Sequence, residues 1–97
     1  MDNDLIVNDD TVVKVAKALA SETRWAILKL LQKRQMDVSR IAKELKQTEA
    51  NISAQIKILE DAGLIRSHYE PGDHGVRKVC ETAVDKIIIE LVSKSED

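Results

Sequence analysis

Basic, hydroxyl and amide side chains are concentrated between residues 39 and 57 of this 97-residue chain. Lysine and arginine neutralise phosphate groups, and hydroxyl and amide groups hydrogen-bond to phosphate oxygens. An asparagine can pair with the edge of an adenine, and an alanine can contact a thymine methyl group. The candidates for phosphate contact are Ser39, Arg40, Lys43, Lys46 and Gln47. The candidates for base contact are Thr48, Ala50, Asn51, Ser53, Ala54 and Lys57.

A second group of such residues follows a run of turn formers. Residues 71–75 read Pro-Gly-Asp-His-Gly, a composition typical of a tight turn. Apolar residues on both sides predict two strands, from Leu64 to Glu70 and from Val76 to Glu81. The hairpin would carry His74 at its tip and Arg77 and Lys78 just beyond it. These three side chains are further candidates for contact with a polyanion.

Two short helical patterns hold the first group of candidates. The first has apolar residues at i, i+3, i+4 and i+7, and Asp37 precedes it as a capping residue. The second lies between Thr48, an expected N-cap, and Gly63, an expected C-cap. Only Lys46 and Gln47 separate the first pattern from the second cap, which predicts a helix-turn-helix. The apolar positions are Val38, Ile41, Ala42 and Leu45 in the first helix, and Ile52, Ile56 and Leu59 in the second.

The second of these helices has an unusual outward face. With its apolar stripe turned inward, Ala50, Ala54, Lys57 and Asp61 lie opposite, flanked by Asn51 and Ser53. This helix has no arginine that could bind guanine, and its acidic residues repel phosphate. Any DNA bound here would therefore be held mainly through phosphates, with few direct base contacts and a contribution from DNA shape.

The remaining segments are predicted to be helical supports. One helix begins after Asp10 or Thr11, and Ser21 caps another from Glu22 to about Lys33. Trp25 in the latter is expected in the core or in a subunit contact. A last helix is predicted from Ala83 to about Lys94. The first helix would bury Val12, Val13, Ala16, Leu19 and Ala20, and the last helix would align Val84, Ile87, Ile88 and Leu91.

Apolar residues lie on two faces of the predicted last helix. Ile89 and Val92 fall outside the main stripe, and one small domain cannot cover both faces. A homodimer through the first and last helices is therefore expected. Its predicted interface consists of Val12, Val13, Ala16, Ile88, Ile89 and Val92.

Length and charge favour one domain with acidic ends. We expect an acidic tail over residues 1–10 and a folded domain over residues 11–95. The net charge is −2, but residues 11–92 carry fourteen basic against eleven acidic residues, which permits DNA binding. The chain has no apolar run of the ~20 residues that span a membrane and no signal-peptide pattern, so a cytoplasmic location is expected.

The order of these motifs resembles the ArsR-type winged-helix transcriptional regulators. The resemblance runs from about Val12 to about Ala83 and includes Leu19–Arg24, the helix pair, and Leu59–Ile65. It implies a mainly α fold with a small β-hairpin wing, a homodimer, and regulation of transcription, most simply by repression. A recognition helix at about 48–62 would enter the major groove of double-stranded DNA. A wing at about 64–82 would contact the adjacent backbone or minor groove, and an effector of unknown chemistry would control binding.

The metal sites of that family have no counterpart here. The positions that match a Cys-Val-Cys run hold Met36, Asp37 and Val38, and the last segment has Asp85 and Glu90 but no histidine. A site formed by His68, Asp73, His74 and Cys80 is a weaker alternative, because strand and turn residues rarely preorganise a metal site. We therefore expect neither a metal nor another cofactor. Cys80, the only cysteine, is interpreted as a small buried residue, with a redox role as the minor alternative.

Catalysis has no support in the sequence, which lacks a Gly-rich phosphate loop, a His-Glu metal motif and a nucleophile with a base. The main alternative to DNA binding is a winged helix that binds another protein without sequence-specific DNA recognition. The alanines at the centre of the outward face favour that alternative. RNA binding has less support, because Trp25 and Tyr69 are the only aromatic residues available for stacking on bases.

Overall fold

Four helices and five short strands form in residues 3–91, the part of the chain that the computed structural model describes. The helices are α1 (Thr11–Leu19), α2 (Glu22–Lys33), α3 (Val38–Leu45) and α4 (Glu49–Asp61). The strands are β1 (Asp4–Val7), β2 (Met36–Asp37), β3 (Ile65–Gly72), β4 (Gly75–Thr82) and β5 (Lys86–Ile89). Within these residues, no helix has both the length and the apolar character that crossing a membrane would require.

Helices α3 and α4 form the predicted helix-turn-helix, and their capping residues are confirmed. Asp37 Oδ1 accepts a hydrogen bond from the Arg40 backbone N–H at 2.7 Å, and Thr48 Oγ1 accepts one from the Asn51 backbone N–H at 3.1 Å. Such contacts satisfy N–H groups that have no partner inside the helix. The predicted apolar stripes also face inward. Leu45 is partly buried against the core, and the other predicted residues are buried: Val38, Ile41, Ala42, Ile52, Ile56 and Leu59.

Two residues with positive φ end these helices. Lys46 follows α3 with φ 57°, and the Gln47 N–H donates to the Ala42 carbonyl at 2.9 Å. Gly63 follows α4 with φ 79°, and the Leu64 N–H donates to the Leu59 carbonyl at 3.0 Å. The left-handed conformation turns the chain sharply at both places. Glycine adopts it without strain, whereas lysine does not.

The wing is confirmed as an antiparallel hairpin of β3 and β4, in which Gly72 pairs with Gly75 around Asp73 and His74. It also has a third strand that the sequence did not predict. Met36 and Asp37 of β2 pair with Cys80 and Val79 of β4. The chain entering α3 is therefore hydrogen-bonded to the wing, and β2, β4 and β3 form one three-stranded sheet.

The core lies between α2, α3, α4 and the inner end of the wing. Its fully buried side chains include Ile27, Ile41, Ile52, Ile56 and Leu59. Cys80 belongs to the same cluster and is also fully buried, as predicted for a small core residue. Met36 packs against this cluster and is partly buried.

The prediction of a last helix is wrong. Residues 86–89 form β5, which pairs in parallel with β1, so that Leu5 lies beside Ile87 and Ile6 beside Ile88. Three consecutive isoleucines favour a strand, because β-branched side chains pack well on a pleated surface. Residues 4–7 are consequently a strand rather than part of an acidic tail. Val92 lies outside the described residues.

Helix α1 begins at Thr11 as predicted, but it buries a different face. Val15 and Ala18 are buried, whereas Val13, Ala16 and Ala20 are exposed. Apolar residues surround most of this helix, so its sequence pattern did not identify one inward face. Trp25 of α2 is also not a core residue, because half of its surface is exposed.

Lys46→Gly tests the strain at the turn of the helix-turn-helix. We expect thermal unfolding to show unchanged stability or a gain of up to about 1 kcal/mol, because glycine adopts positive φ freely. Lys43→Gly, in the last turn of α3, is the matched control and should lose about 1 kcal/mol. Equal losses for both variants would show that the left-handed conformation of Lys46 is not strained.

Candidate nucleic-acid interface

The outward face of α4 is uncovered in the part of the chain that the structure describes. Ala50, Ser53, Ala54 and Lys57 are exposed, and Thr48 is exposed at the N-terminus of the helix. Lys57 Nζ lies 3.7 Å from Asp61 Oδ1, and both side chains remain more than half exposed. The face combines small side chains with a few polar groups, so another macromolecule could approach the helix backbone closely.

Asn51 lies at the edge of this face and is partly buried. Its Nδ2 donates to Gln47 Oε1 at 2.6 Å, and its Oδ1 accepts from Gln55 Nε2 at 3.1 Å. Arg24 of α2 in turn donates to Gln55 Oε1 at 2.6 Å. Neither Arg24 nor Gln55 was predicted from the sequence to belong to the site. The spacing of Asn51 and Gln55 could have indicated their hydrogen bond, because residues four apart meet on a helix, whereas Gln47 precedes α4.

The candidates on α3 and its following turn differ in their partners. Ser39 Oγ donates to Glu49 Oε2 at 3.0 Å, and Arg40 Nε donates to Glu44 Oε2 at 2.8 Å. Lys43 and Lys46 are exposed and form no ion pair with any carboxylate in residues 3–91. Lys43 and Lys46 therefore have the ammonium groups most available to an external phosphate.

The wing cations are bound to carboxylates of the protein itself. Arg77 donates from Nη1 to Asp37 Oδ2 at 2.9 Å and from Nη2 to Glu70 Oε1 at 3.0 Å. Lys78 donates to Glu60 Oε1 at 3.2 Å, and only 26% of its side chain is exposed. These contacts tie the wing to the start of α3 and to the end of α4. They also reduce the charge that Arg77 and Lys78 can offer to DNA.

His74 is separated from these ion pairs because it lies exposed at the wing tip. A cleft of about 590 Å³ runs from the tip to Ser39 and Arg77. A neighbouring cleft of about 430 Å³ is lined by Arg34, Arg40, Lys43 and Arg77, among others. The structure thus brings most of the predicted phosphate contacts on α3 and the wing to adjoining surfaces.

Hydrogen bonds shift two ionisation equilibria in the wing. His68 Nε2 lies 2.6 Å from Glu70 Oε2, and this contact, followed by the one from Arg77, lowers the pKa of Glu70. The hydrogen bonds to Asp37 and Glu70 raise the pKa of Arg77. The carboxylates therefore hold the guanidinium in its charged form at the mouth of the cleft.

The residues of the weaker metal-site alternative are not brought together. Cys80 is buried in the core, whereas Asp73 and His74 are exposed at the wing tip. Residues 3–91 contain no cluster of three or more side chains of the types that bind metals. Burial raises the pKa of the Cys80 thiol, and Ser67 Oγ is 3.4 Å from its sulfur. A raised pKa and full burial both oppose reactivity as a thiolate.

Comparison with known proteins gives the same fold. Residues 21–67 match the model of the bacterial regulatory protein, arsR family. One similar structure is the homodimeric winged helix-turn-helix DNA-binding domain of Mb0332 from Mycobacterium bovis, a possible ArsR-family regulator. It is 31% identical to this chain with a TM-score of 0.69, and the match covers 76% of this chain and 65% of that one. Among curated proteins, none matches significantly.

Two further structures are similar. An ArsR family transcriptional regulator is 32% identical with a TM-score of 0.64, over 75% of this chain and 76% of that chain. HlyU from Vibrio cholerae is 22% identical with a TM-score of 0.66, over 75% of this chain and 73% of that chain, which supports the fold alone. The match to the family model and the ArsR-family structures indicate that the chain is a DNA-binding transcriptional regulator. Within that class, the chain belongs to the ArsR family of bacterial regulators.

His68→Ala tests the ionisation of the wing. We expect the pKa of Glu70 to rise toward its ordinary value, because the hydrogen bond from His68 is the largest cause of its lowering. A lowered carboxyl pKa stabilises the fold above the pKa of the unfolded chain, and this stabilisation is lost as the pH falls. An NMR titration of the Glu70 carboxyl carbon measures the shift. His74→Ala, which changes the other histidine, should leave it in place.

Proposed function

We propose that this protein is a transcriptional repressor that binds double-stranded DNA as a homodimer. The observation that carries the proposal is the orientation of α4. Its apolar stripe is fully buried, so the opposite face, with Ala50, Ser53, Ala54 and Lys57, is held outward beside the wing. An α-helix that projects from a winged helix-turn-helix can enter the major groove.

The proposed base contacts are few. Asn51 would bind an adenine edge, and Ala50 or Ala54 would contact a thymine methyl group. Ser53, Thr48 and Lys57 would complete the surface near the bases. The small side chains at the centre of the face would allow α4 to lie deep in the groove. Because the base contacts are few, DNA shape would contribute to specificity.

The proposed phosphate contacts come mainly from α3 and the turn. Lys43 and Lys46 have no internal carboxylate partner in the described part of the chain, and Ser39, Arg40 and Gln47 lie nearby in sequence on the same helix and turn. His74 at the wing tip would contact the adjacent backbone or the minor groove. Arg77 is 49% exposed and can approach a phosphate from the cleft, whereas we assign Lys78 mainly to holding the wing against α4.

Exposed apolar residues support the proposed homodimer. Ile6 and Ile88 are neighbours across the ribbon formed by β1 and β5, and both are exposed, as is Val13 of α1. Parallel strands are normally covered on both faces, so this two-stranded ribbon is expected to have a partner. The similar domain from Mycobacterium bovis is described as homodimeric. A dimer on promoter DNA would repress transcription by occupying the site of RNA polymerase.

A salt series with fluorescence anisotropy tests DNA binding. The probes are a duplex that the protein enriches from a random pool and a scrambled duplex. Affinity should fall steeply with salt, and Lys43→Gln and Lys46→Gln should each flatten the slope of log affinity against log salt by about two, which is about one for each subunit of the dimer. Asn51→Ala should cost about 1–3 kcal/mol for each half-site of the enriched duplex and little on the scrambled one. Lys86→Gln, on β5, should not change the slope.

The same experiment separates DNA binding from protein binding. The pairing of wing cations with carboxylates favours the protein-binding alternative, because it leaves less positive charge for DNA. The paired cations are Arg66, Arg77 and Lys78. Failure to enrich any duplex, together with salt-independent anisotropy, would contradict DNA binding and favour the alternative. Equal losses on both duplexes for Asn51→Ala would reject its role in reading bases.

Ile88→Glu tests the homodimer by sedimentation at micromolar concentration. We expect the wild-type chain to sediment as a dimer and the variant to shift toward monomer, because a charge would be buried at the ribbon. Lys29→Gln, at an exposed position of α2, changes the net charge by the same one unit and should remain dimeric. A wild-type chain that is a folded monomer at this concentration would rule out the proposed assembly.

A further inference from the structure

The guanidinium of Arg24 joins α1 to α4. Its Nε donates to the Ala18 carbonyl at 2.8 Å and its Nη2 to the Lys17 carbonyl at 2.9 Å, at the C-terminal end of α1. Its Nη1 donates to Gln55 Oε1 at 2.6 Å, in the middle of α4. The C-terminal end of a helix attracts positive charge, so α1 holds the guanidinium in place.

The guanidinium of Arg24 determines the direction of the hydrogen bonds that connect Gln55, Asn51 and Gln47. A guanidinium has only donors, so Gln55 must turn its Oε1 toward Arg24. Gln55 Nε2 then points along α4 and can only donate, and it does so to Asn51 Oδ1 at 3.1 Å. Asn51 Nδ2 is thereby directed to Gln47 Oε1 at 2.6 Å. The orientations of the side-chain amides of Gln55, Asn51 and Gln47 therefore depend on one arginine.

We propose that Arg24 and Gln55 are positioning residues that determine sequence specificity by fixing the amide of Asn51. The inference rests on the proposed function. An asparagine binds adenine by accepting from N6 and donating to N7, so a rotated amide would place the wrong group opposite each atom. Asn51 keeps one N–H and one oxygen lone pair for a base after its internal hydrogen bonds are counted. A fixed amide also loses less conformational freedom on binding.

A purely structural role for Arg24 would require only its contacts with the end of α1. The hydrogen bonds continue, however, through Gln55 to the one side chain on α4 proposed to read adenine. Arg24, Gln55 and Asn51 are all partly buried, so water competes less for these contacts than it would on an open surface. This series of hydrogen bonds also connects α1, which lies at the proposed dimer interface, to the outward face of α4.

Two substitutions of Gln55 test the proposal without removing Arg24. Gln55→Glu keeps an acceptor for Arg24 but loses the donor to Asn51, so Asn51 should rotate. Gln55→Met keeps the approximate length and removes both polar groups. We expect the ratio of affinities for the enriched and scrambled duplexes to fall about ten-fold for each half-site in both variants, because each half-site loses one bidentate contact. Gln55→Glu should retain the wild-type melting temperature.

Two comparisons show whether the effect passes through Asn51. In an Asn51→Ala background, Gln55→Met should cause no further loss of discrimination, because coupled residues are not additive. Replacing the bound adenine by 7-deazaadenine, which lacks N7, should weaken the wild type but not Asn51→Ala. Gln32→Glu adds the same charge as Gln55→Glu on α2, outside the amide chain, and should leave discrimination unchanged.

An NMR measurement on the free protein makes the test independent of DNA. Gln55→Glu should shift the side-chain NH₂ resonances of Asn51, because its hydrogen-bond partners change. Unchanged resonances would overturn the proposal. If Asn51→Ala lowers discrimination but both Gln55 variants retain it, the positioning role is wrong and the proposed function stands. If the resonances shift but the wild type does not discriminate between duplexes, sequence-specific binding itself is wrong, and so is the specificity role built on it.

Discussion

Burial of one stripe of α4 is the constraint on which the rest of the structure depends. Ile52, Ile56 and Leu59 are fully buried, and burial stabilises each such side chain by about 1.5–3 kcal/mol relative to exposure. Any rotation of α4 about its axis would expose part of this stripe. The hydrophobic core therefore fixes which side chains of α4 face outward.

Carboxylates attach the wing to the helices at an electrostatic cost to DNA binding. Asp37 caps α3 through Oδ1 and binds Arg77 through Oδ2, so one side chain orders both parts of the domain. Glu60 similarly joins the end of α4 to Lys78. Each contact positions the wing and neutralises a cation that could otherwise bind phosphate. Among the lysine and arginine side chains proposed to contact phosphates, those without a carboxylate partner in residues 3–91 are consequently Lys43 and Lys46, on α3 and the turn, rather than those of the wing.

The ribbon of β1 and β5 changes the character of the proposed dimer surface. Helices at both ends of the domain would offer side chains alone, whereas a strand also offers unpaired backbone groups along its outer edge. Ile6 and Ile88 cover one face of the ribbon, and Leu5 and Ile87 pack against the core from the other. The two chain segments depend on each other, because a short strand without a neighbour would leave its backbone groups without partners.

The sequence alone determined the helix-turn-helix, its caps, its inward stripes and the hairpin of the wing, because these features depend on local spacing. Asp37, Thr48 and Gly63 act on neighbouring residues, and a 3.6-residue period needs no distant partner. Tertiary structure decided the rest. Residues 86–89 became a strand because residues 4–7 pair with them, and neither segment reveals this partner by itself. Arg77 and Lys78 are paired with Asp37 and Glu60, carboxylates distant in sequence, and are therefore less available to DNA. Arg24 contacts Gln55 only because the packing of α1, α2 and α4 brings them together.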